Sequence, residues 1–188
     1  IMTYAKENNH IVIEDCAQST GSGSGKYGDY SVFSFYPTKP LACMGDGGMI
    51  CTDHPIDRLQ RLRFYGQQDR AALREVGLNS RMDEIQASIV NAKLPRYQEL
   101  NEVRKRICER YKNIVRGIKR DENSVYHQFV VLFGDRESVI NDLQREQIPH
   151  IIHYSMHVSE FDVLRGKQND VGFRVNDKCL SLPCHPFM

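Results

Sequence analysis

An aspartate and a lysine early in the chain have residue types and positions that favour chemistry. Asp15 ends the apolar run of residues 10–15, and Lys39 lies between Pro37 and Pro40 after an aromatic, β-type run. A lysine amine forms Schiff bases and becomes nucleophilic when desolvation lowers its pKa. A carboxylate buried at the end of an apolar strand needs a cationic partner, and a pyridinium nitrogen is one such partner. Taken alone, Lys39 has the alternative interpretation of a solvated loop charge.

The elements predicted around these two residues place both of them at or just after strand ends. Residues 10–15 are typical of a buried parallel strand, and residues 32–36 and 48–52 of two further strands separated by a glycine-rich turn. In α/β architectures, ligands bind at the carboxyl ends of strands. The sequence therefore predicts an α/β fold with a site formed by Asp15, Lys39 and this turn.

Helical periodicity predicts the next part of the chain. It covers residues 54–65, and it resumes after Ser80 and Asp83, whose spacing is that of a capping box. The second helical pattern continues to about residue 118 and is interrupted at Pro95. We expect two helical segments with a break between them.

Beyond the long helix the pattern changes, and it predicts a second, smaller unit. Four elements follow in the order strand, helix, strand, helix, at residues 128–133, 137–147, 151–154 and 175–180. We place a domain boundary near residue 100. Residues 1–100 then belong to a large α/β domain, and residues 101–188 form a small α+β domain that is incomplete at its end.

The segment Gly23–Gly28 matches the dinucleotide-binding pattern G-x-G-x-x-G letter for letter. In a dinucleotide-binding fold these glycines directly follow a strand and open a helix. Here they begin several residues after Asp15 and lead into a β-type run, and Tyr27 stands where a P-loop has serine or threonine. We therefore interpret the segment as a surface loop.

Histidines near the end of the chain raise the question of a metal site. His150, His153 and His157 are followed later by Cys184 and His185. The first three straddle a predicted strand and turn, so their imidazoles are not expected to share a face, and no familiar ligand spacing is completed. Structural or substrate-facing histidines are the favoured interpretation, and no metal is predicted.

Composition excludes several classes of protein. The 188 residues carry a formal net charge of +1, which gives no electrostatic reason to expect nucleic acid or an anionic membrane as partner. The longest apolar runs are too short to span a bilayer. The six cysteines form no Cys-x-x-Cys pair, which favours reduced packing thiols in a cytoplasmic protein.

Several motifs together resemble the DegT/DnrJ/StrS family of nucleotide-sugar aminotransferases, which are fold-type-I enzymes that use pyridoxal 5'-phosphate. The resemblance runs along nearly the whole chain and in order. It is carried by residues 14–18, 28–29, 33–39, 45–48, 62–66, 79–87, 152–154 and 181–183. It implies that residues 1–100 are the C-terminal part of a fold-type-I large domain that binds the cofactor, with a mixed sheet and flanking helices, and that a small C-terminal domain follows. Because family members are longer, the chain is expected to be a fragment that lacks the N-terminal part.

The resemblance also implies a role for each matching residue. Lys39 would form the Schiff base with the cofactor aldehyde and move the proton, and Asp15 would pair with the ring nitrogen. Gln18 would lie near the ring, and Ser34 would bind the cofactor phosphate. Asn79 would reach the phosphate of the neighbouring subunit's site. Two further residues are implied only as neighbours of the substrate: Arg81 and His153.

The implied activity is transfer of an amino group, from glutamate, onto a keto sugar linked to a nucleotide, for polysaccharide or amino-sugar biosynthesis. The implied assembly is a homodimer with shared active sites. Two alternatives remain open. One is a truncated, non-catalytic homologue that acts as a binding or assembly module. The other is an enzyme of the same fold that catalyses elimination, against which the presence of Lys39 argues, because the resemblance implies histidine there in that branch.

Overall fold

The computed structural model describes residues 1–68, 72–115, 122–161, 163 and 175–188. The contacts divide the chain into two compact units, Ile1–Glu99 and Leu100–Met188, and each is described by itself. Within the described ranges, helices are too short or too polar to cross a bilayer.

A three-stranded mixed sheet organises the first unit. Its strands are β1 (Ile13–Asp15), β2 (Tyr30–Ser34) and β3 (Gly48–Cys51), in that order across the sheet. β1 runs parallel to β2, with Asp15 opposite Val32, whereas β2 and β3 are antiparallel. The predicted α/β architecture with a mixed sheet is confirmed, and the carboxyl ends of β1 and β2 lie at the same edge of this sheet.

The prediction that residues 10–15 form a buried strand is wrong for the chain described. The strand itself is shorter, and Ile11 and Ile13 are 72% and 64% exposed. β1 is the outermost strand of the sheet, so it has a hydrogen-bonded neighbour strand on one side only within the described residues. Asp15 is also exposed. An apolar run indicates which side chains favour burial, but it does not say what covers them.

The glycine loop behaves as the interpretation of a surface loop requires. The chain turns repeatedly after Asp15 and enters β2 at Tyr30 rather than a helix. Gly25 has a positive φ of 85°, and a Cβ there would lie 2.7 Å from Cζ of Phe33. This glycine is therefore needed because the loop backbone packs directly against an aromatic ring of β2.

One helix precedes the sheet in the chain, and the helices that follow it have bounds close to those predicted. α1 is Met2–Glu7, α2 is Asp57–Leu62, α3 is Glu84–Lys93 and α4 is Tyr97–Lys112. A short 3-10 segment, Leu94–Arg96, carries the predicted break at Pro95 between α3 and α4. Two short strands, β4 (Gln67–Gln68) and β5 (Ala72–Leu73), pair antiparallel.

The predicted capping box at Ser80 is wrong. The N-cap of α3 is Asp83, whose side chain makes no capping hydrogen bond. Ser80 instead donates its backbone N–H to the Arg63 carbonyl oxygen, 2.9 Å away. The spacing matched a capping box, but pairing with the segment after α2 holds Ser80 outside the helix.

The core of the first unit joins the sheet to α3 and the start of α4. Phe33 and Met82 are partly buried and pack against this core. Its buried members are Phe35, Leu41, Cys43, Val90 and Tyr97. Three of these five belong to the segment that carries Lys39, so the core fixes both ends of that segment.

The second unit combines the later part of α4 with a two-stranded sheet. β6 (Phe129–Leu132) pairs antiparallel with β7 (Cys179–Leu182), and α5 (Arg136–Arg145) follows β6. The buried cluster consists of Cys108, Tyr126, Phe129, Val131 and Cys184. Strand β6 and helix α5 confirm the predicted elements at 128–133 and 137–147.

Two predictions in this unit are wrong. The expected helix at residues 175–180 ends early, and from Cys179 the chain is β7, whose first three residues are buried. The expected strand at 151–154 is reduced to a single bridge between Ile151 and Ser181. A short apolar run does not distinguish a strand from a buried helical turn by periodicity, and pairing with β6 decides for the strand.

Candidate active site

Asp15 occupies the carboxyl end of β1. Its Oδ1 accepts a hydrogen bond from the backbone N–H of Ala17 at 3.0 Å, which holds the carboxylate against the turn that follows. The backbone N–H of Cys16 donates to the Val32 carbonyl, 2.8 Å away, and extends the pairing with β2 by one step. The carboxylate is thus fixed at the sheet edge and presented to the exterior.

Gln18 lies in the same turn, three residues after Asp15, and is exposed. The turn is closed by a hydrogen bond from the Ser19 N–H to the Cys16 carbonyl at 3.1 Å. Gln18 therefore lies in the turn that directly follows the carboxyl end of β1, close to Asp15 in sequence.

Ser34 ends β2 and lies at the same edge. Its Oγ accepts a hydrogen bond of 3.3 Å from the Tyr36 backbone N–H. The hydroxyl proton of Ser34 is then available for an acceptor outside the chain. Because β1 and β2 are parallel, Asp15 and Ser34 end neighbouring strands in the same direction.

Lys39 lies in a loop that begins at Phe35 and is closed by hydrogen bonds to both backbone polar groups of Phe35. The Phe35 N–H donates to the Gly47 carbonyl, and the Phe35 carbonyl accepts from the Cys43 N–H, both at 2.8 Å. Within this closed loop the Lys39 N–H donates to the Tyr36 carbonyl at 2.8 Å, and the residue is half-buried. Its amine forms no ion pair within the residues that the structure describes.

Helix α3 anchors the far side of this loop, a feature that sequence reasoning missed. Lys93 Nζ donates to the Ala42 carbonyl at 2.6 Å, and Gln86 Oε1 accepts from the Met44 N–H at 2.8 Å. A Cβ at Gly45 would lie 3.0 Å from Gln86 Nε2, so the glycine admits the glutamine. Gln86 and Lys93 are seven residues apart, two helical turns, and that spacing was the available signal.

Asn79 and Arg81 lie in a different part of the first unit, on the wall of a cavity of about 750 Å³. β2 and β3 contribute its floor, and Arg63 and Asp46 also line it. Arg81 Nε donates to Asn79 Oδ1 at 3.2 Å. Sequence reasoning predicted Asn79 and Arg81 separately but missed Arg63, which lies in an otherwise ordinary helix end.

His153 belongs to the second unit. Its Nδ1 lies 2.8 Å from the Ser181 Oγ, and burial lowers the pKa of its imidazole. The Cys179 thiol donates to the His153 carbonyl at 3.3 Å. Described histidine, cysteine and acidic side chains form no group of three that could hold a metal ion.

Comparison with known proteins identifies the group to which the chain is related. The DegT/DnrJ/EryC1/StrS aminotransferase family matches residues 1–188. The chain belongs to this family. The predicted family resemblance is confirmed, since the match extends over all the motifs that indicated it.

Two curated family relatives are 33% identical to the chain. One, from Acidithiobacillus ferrooxidans, is named a UDP-N-acetyl-3-dehydro-α-D-glucosamine 3-aminotransferase, and the match covers 99% of this chain and 55% of the relative. The other, from Pseudomonas aeruginosa, is named a UDP-2-acetamido-2-deoxy-3-oxo-D-glucuronate aminotransferase, with 94% and 54% covered. The chain spans about half the length of the curated relatives it matches.

A crystal structure of a family aminotransferase from Brucella abortus is similar in fold. It is 30% identical, with a TM-score of 0.91, and the match covers 98% of this chain and 55% of that protein. The fold described above for this chain is therefore the fold of a solved member of the family.

Proposed function

We propose that the protein carrying this chain is a pyridoxal-phosphate-dependent aminotransferase that transfers an amino group, from glutamate, onto a keto sugar linked to a nucleotide. The observation that carries the proposal is the shared edge of β1 and β2. A carboxylate ends β1, a hydroxyl ends β2, and a lysine follows in a loop closed on Phe35. Both relatives are named for amination of a 3-keto UDP-sugar, so such a sugar is the substrate to test first.

The residues at this edge fit the cofactor by their chemistry. Pyridoxal phosphate presents a ring nitrogen, an aldehyde and a phosphate, which require a carboxylate, an amine and hydrogen-bond donors respectively. Asp15 has one carboxylate oxygen bonded to Ala17, and Oδ2 has no hydrogen bond in the part of the chain described. Ser34 has its hydroxyl proton available, because its oxygen serves as acceptor for Tyr36.

Each residue then has a task that its position supports. The cofactor, when bound, withdraws electrons so that a Cα–H bond of the amino donor can be broken. Lys39 would hold the cofactor through its amine and, once the amino donor has displaced that amine, would carry the proton at Nζ. Asp15 keeps the ring nitrogen protonated, Ser34 binds the phosphate, and Gln18 lies near the ring. The loop closed on Phe35 limits where Lys39 can move.

The proposal extends to the assembly. Asn79 is proposed to bind the phosphate of a neighbouring subunit's cofactor, which makes the protein a homodimer with shared sites. Arg81 and His153 are proposed to lie near the sugar substrate. Residues 1–100 would be part of the cofactor-binding domain and 101–188 of the smaller one. No disulfide joins the six cysteines, five of which are buried, and this supports a reducing, cytoplasmic location.

A two-step absorbance experiment tests the function. The purified protein is incubated with pyridoxal phosphate, and the absorbance of the bound cofactor is recorded before and after addition of glutamate. We expect glutamate to remove the absorbance of the carbonyl form and a 3-keto UDP-sugar to restore it, with an amino sugar detected by mass spectrometry. A protein that stays colourless with added cofactor would contradict the proposal and favour a non-catalytic binding or assembly module. A coloured protein that does not respond to glutamate would favour elimination chemistry.

A further inference from the structure

A hydrogen bond between Arg81 and Asn79 fixes which way the asparagine amide faces. Arg81 Nε lies 3.2 Å from Asn79 Oδ1. A guanidinium has donors and no acceptor, so the amide atom that faces it has to be the oxygen. The amide nitrogen is the other branch of the same planar group. Its two N–H donors are therefore turned away from Arg81.

The amide donors of Asn79 have no hydrogen-bond partner within the described residues, although the side chain lines the cavity. The oxygen of the amide is thus hydrogen-bonded, whereas its nitrogen is available to a ligand. A donor pair at a cavity wall suits an anionic acceptor, and hydrogen bonds to charged groups contribute more than those to neutral ones.

Arg81 is itself held in place by Phe64. Its guanidinium carbon lies 4.7 Å from the centre of the Phe64 ring, which is the geometry of a cation–π contact. Phe64 and Asn79 are opposite each other in an isolated antiparallel bridge. The backbone that positions Asn79 therefore also positions the ring that supports Arg81, and the three residues form one bracket.

Charge in the cavity favours an anion. Arg58 and Arg61 of α2 both pair with Glu75, at 3.0 and 3.3 Å. Arg63 and Arg81 line the cavity and form no ion pair within the described residues, while Asp46 is the acidic side chain on its wall. Two guanidinium groups against one carboxylate leave a net positive charge beside the Asn79 donors.

We propose that Arg81 is a positioning residue, which locks the Asn79 amide with its N–H donors toward a phosphate ester bound in this cavity. The inference rests on the proposed function, because it explains how Asn79 is prepared for a phosphate. The phosphate ester belongs either to the cofactor or to the nucleotide, and the two sources are separated by experiment.

Binding measurements on a double-mutant cycle test the proposal. The variants are Arg81→Ala, Asn79→Ala and the combination, titrated separately with pyridoxal phosphate, with UDP and with inorganic phosphate. Each single variant is expected to raise the dissociation constant of the phosphate ester about tenfold, and the combination no further, because one residue acts through the other. A rise confined to the pyridoxal phosphate titration assigns the site to the cofactor, and a rise confined to the UDP titration assigns it to the nucleotide.

Two further variants separate positioning from folding. Asn79→Asp keeps an acceptor for Arg81 but has no N–H donors and adds a negative charge, so it should weaken phosphate binding at least as much as Asn79→Ala without lowering the unfolding free energy. Arg74→Ala is the matched control, since Arg74 Nε also donates to an amide oxygen, that of Gln68, at 3.1 Å. It should leave all three dissociation constants unchanged.

Additive effects of Arg81→Ala and Asn79→Ala, or unchanged affinity in Arg81→Ala, would overturn the proposal. These results differ from failure of the proposed function, which would appear as a wild-type protein without a cofactor chromophore at saturating pyridoxal phosphate. In that case the UDP and inorganic phosphate titrations still decide the role of Arg81.

Discussion

The Asp15 carboxylate has a restricted orientation and an accessible oxygen. The Ala17 N–H holds Oδ1, and the end of β1 sets the direction of the side chain. A carboxylate in this state can keep a heterocyclic nitrogen protonated without having to reorganise first. At the scale of single residues, this is the most direct link between the backbone and the proposed chemistry.

Replacing Asp15 by asparagine tests that link. Asn has the same shape and can still bond to Ala17 through its oxygen, but it has no charge to hold a proton on the ring. We expect the cofactor to bind and turnover to fall roughly a hundredfold. Absorbance titration and steady-state kinetics measure the two effects. Asp53→Asn, an exposed aspartate elsewhere, should change neither, and an Asp15→Asn variant with wild-type turnover would contradict the role.

The burial of His153 leads to a prediction about how the stability of the protein depends on pH. Burial lowers the pKa of its imidazole in the folded protein, so the unfolded chain binds a proton first as the pH falls below about 6.5. Protonation therefore favours the unfolded state, and part of the stability present at pH 8 is lost by pH 5. In His153→Gln this acid-dependent loss should be smaller, as measured by urea denaturation at both pH values. Ser181→Ala, which keeps the imidazole, should retain the loss; an unchanged pH dependence in His153→Gln would contradict the account.

Residue types suited to the chemistry could be proposed from the sequence, whereas contacts between residues that are distant in the chain could not. Asp15 ends β1 and Lys39 lies in the loop that follows β2, and their residue types limit the reactions they can perform. Gln86 contacts a loop that is distant from it in sequence. Arg81 contacts the Asn79 amide, whose orientation is set only in the folded chain. Their partners are set by the packing of α3 and by the bridge at Phe64; the helical spacing of Gln86 and Lys93 indicates that they share a face, but it does not indicate which loop they contact.

At the scale of elements, α3 holds the loop that contains Lys39. Its two contacts, Gln86 with Met44 and Lys93 with Ala42, fall on the returning half of that loop. The leaving half is fixed by the bonds of Phe35. The loop is thus attached at both ends to elements of the same core.

Gln86→Ala should therefore loosen the site without removing any group proposed to touch the cofactor. Loss of the hydrogen bond to Met44 is expected to lower the unfolding free energy by about 1 kcal/mol. The dissociation constant of pyridoxal phosphate should rise about fivefold if that energy is lost from the loop in its binding conformation. Chemical denaturation and absorbance titration measure the two effects.

Gln98→Ala is the control for this prediction. Gln98 is an exposed glutamine on α4, so its replacement also exchanges a polar side chain for alanine on a helix. It should leave stability and cofactor affinity near wild type. Equal affinities in Gln86→Ala and Gln98→Ala would show that α3 does not position the loop.

The elements themselves were predictable where a sequence pattern was long or was interrupted by proline or glycine. The break at Pro95 and the entry of the glycine loop into β2 follow from local chemistry that packing does not override. The first two residues of β7 were predicted as the end of a helix, because the segment becomes a strand only by pairing with β6, which is distant in sequence. The exposure of β1 was not predictable, because the alternation of residue types does not reveal what lies beside a strand.

At the scale of the whole molecule, the proposal requires two chains for one site. Asp15, Ser34 and Lys39 would come from one subunit and Asn79 from its neighbour. Two variants, each defective in a different part of the site, should then complement each other when they are mixed and assayed at a cofactor concentration well below the dissociation constant of Asn79→Ala.

Lys39→Ala and Asn79→Ala test the shared site. A mixed dimer contains one site with both residues intact and one site that lacks both. After equal amounts are unfolded and refolded together, activity should recover to about a quarter of wild type, because half of the dimers are mixed and each has one intact site. Refolding each variant alone is the control. Recovery no greater than the sum of the two controls would contradict a shared site.

The most direct test of the central claim is to locate the cofactor on the chain. The protein is saturated with pyridoxal phosphate, reduced with borohydride, digested and mapped by mass spectrometry. The account predicts a phosphopyridoxyl group on the peptide that contains Lys39, and its loss in Lys39→Ala. A group attached to a different lysine, or undiminished labelling in Lys39→Ala, would contradict the assignment of the active site.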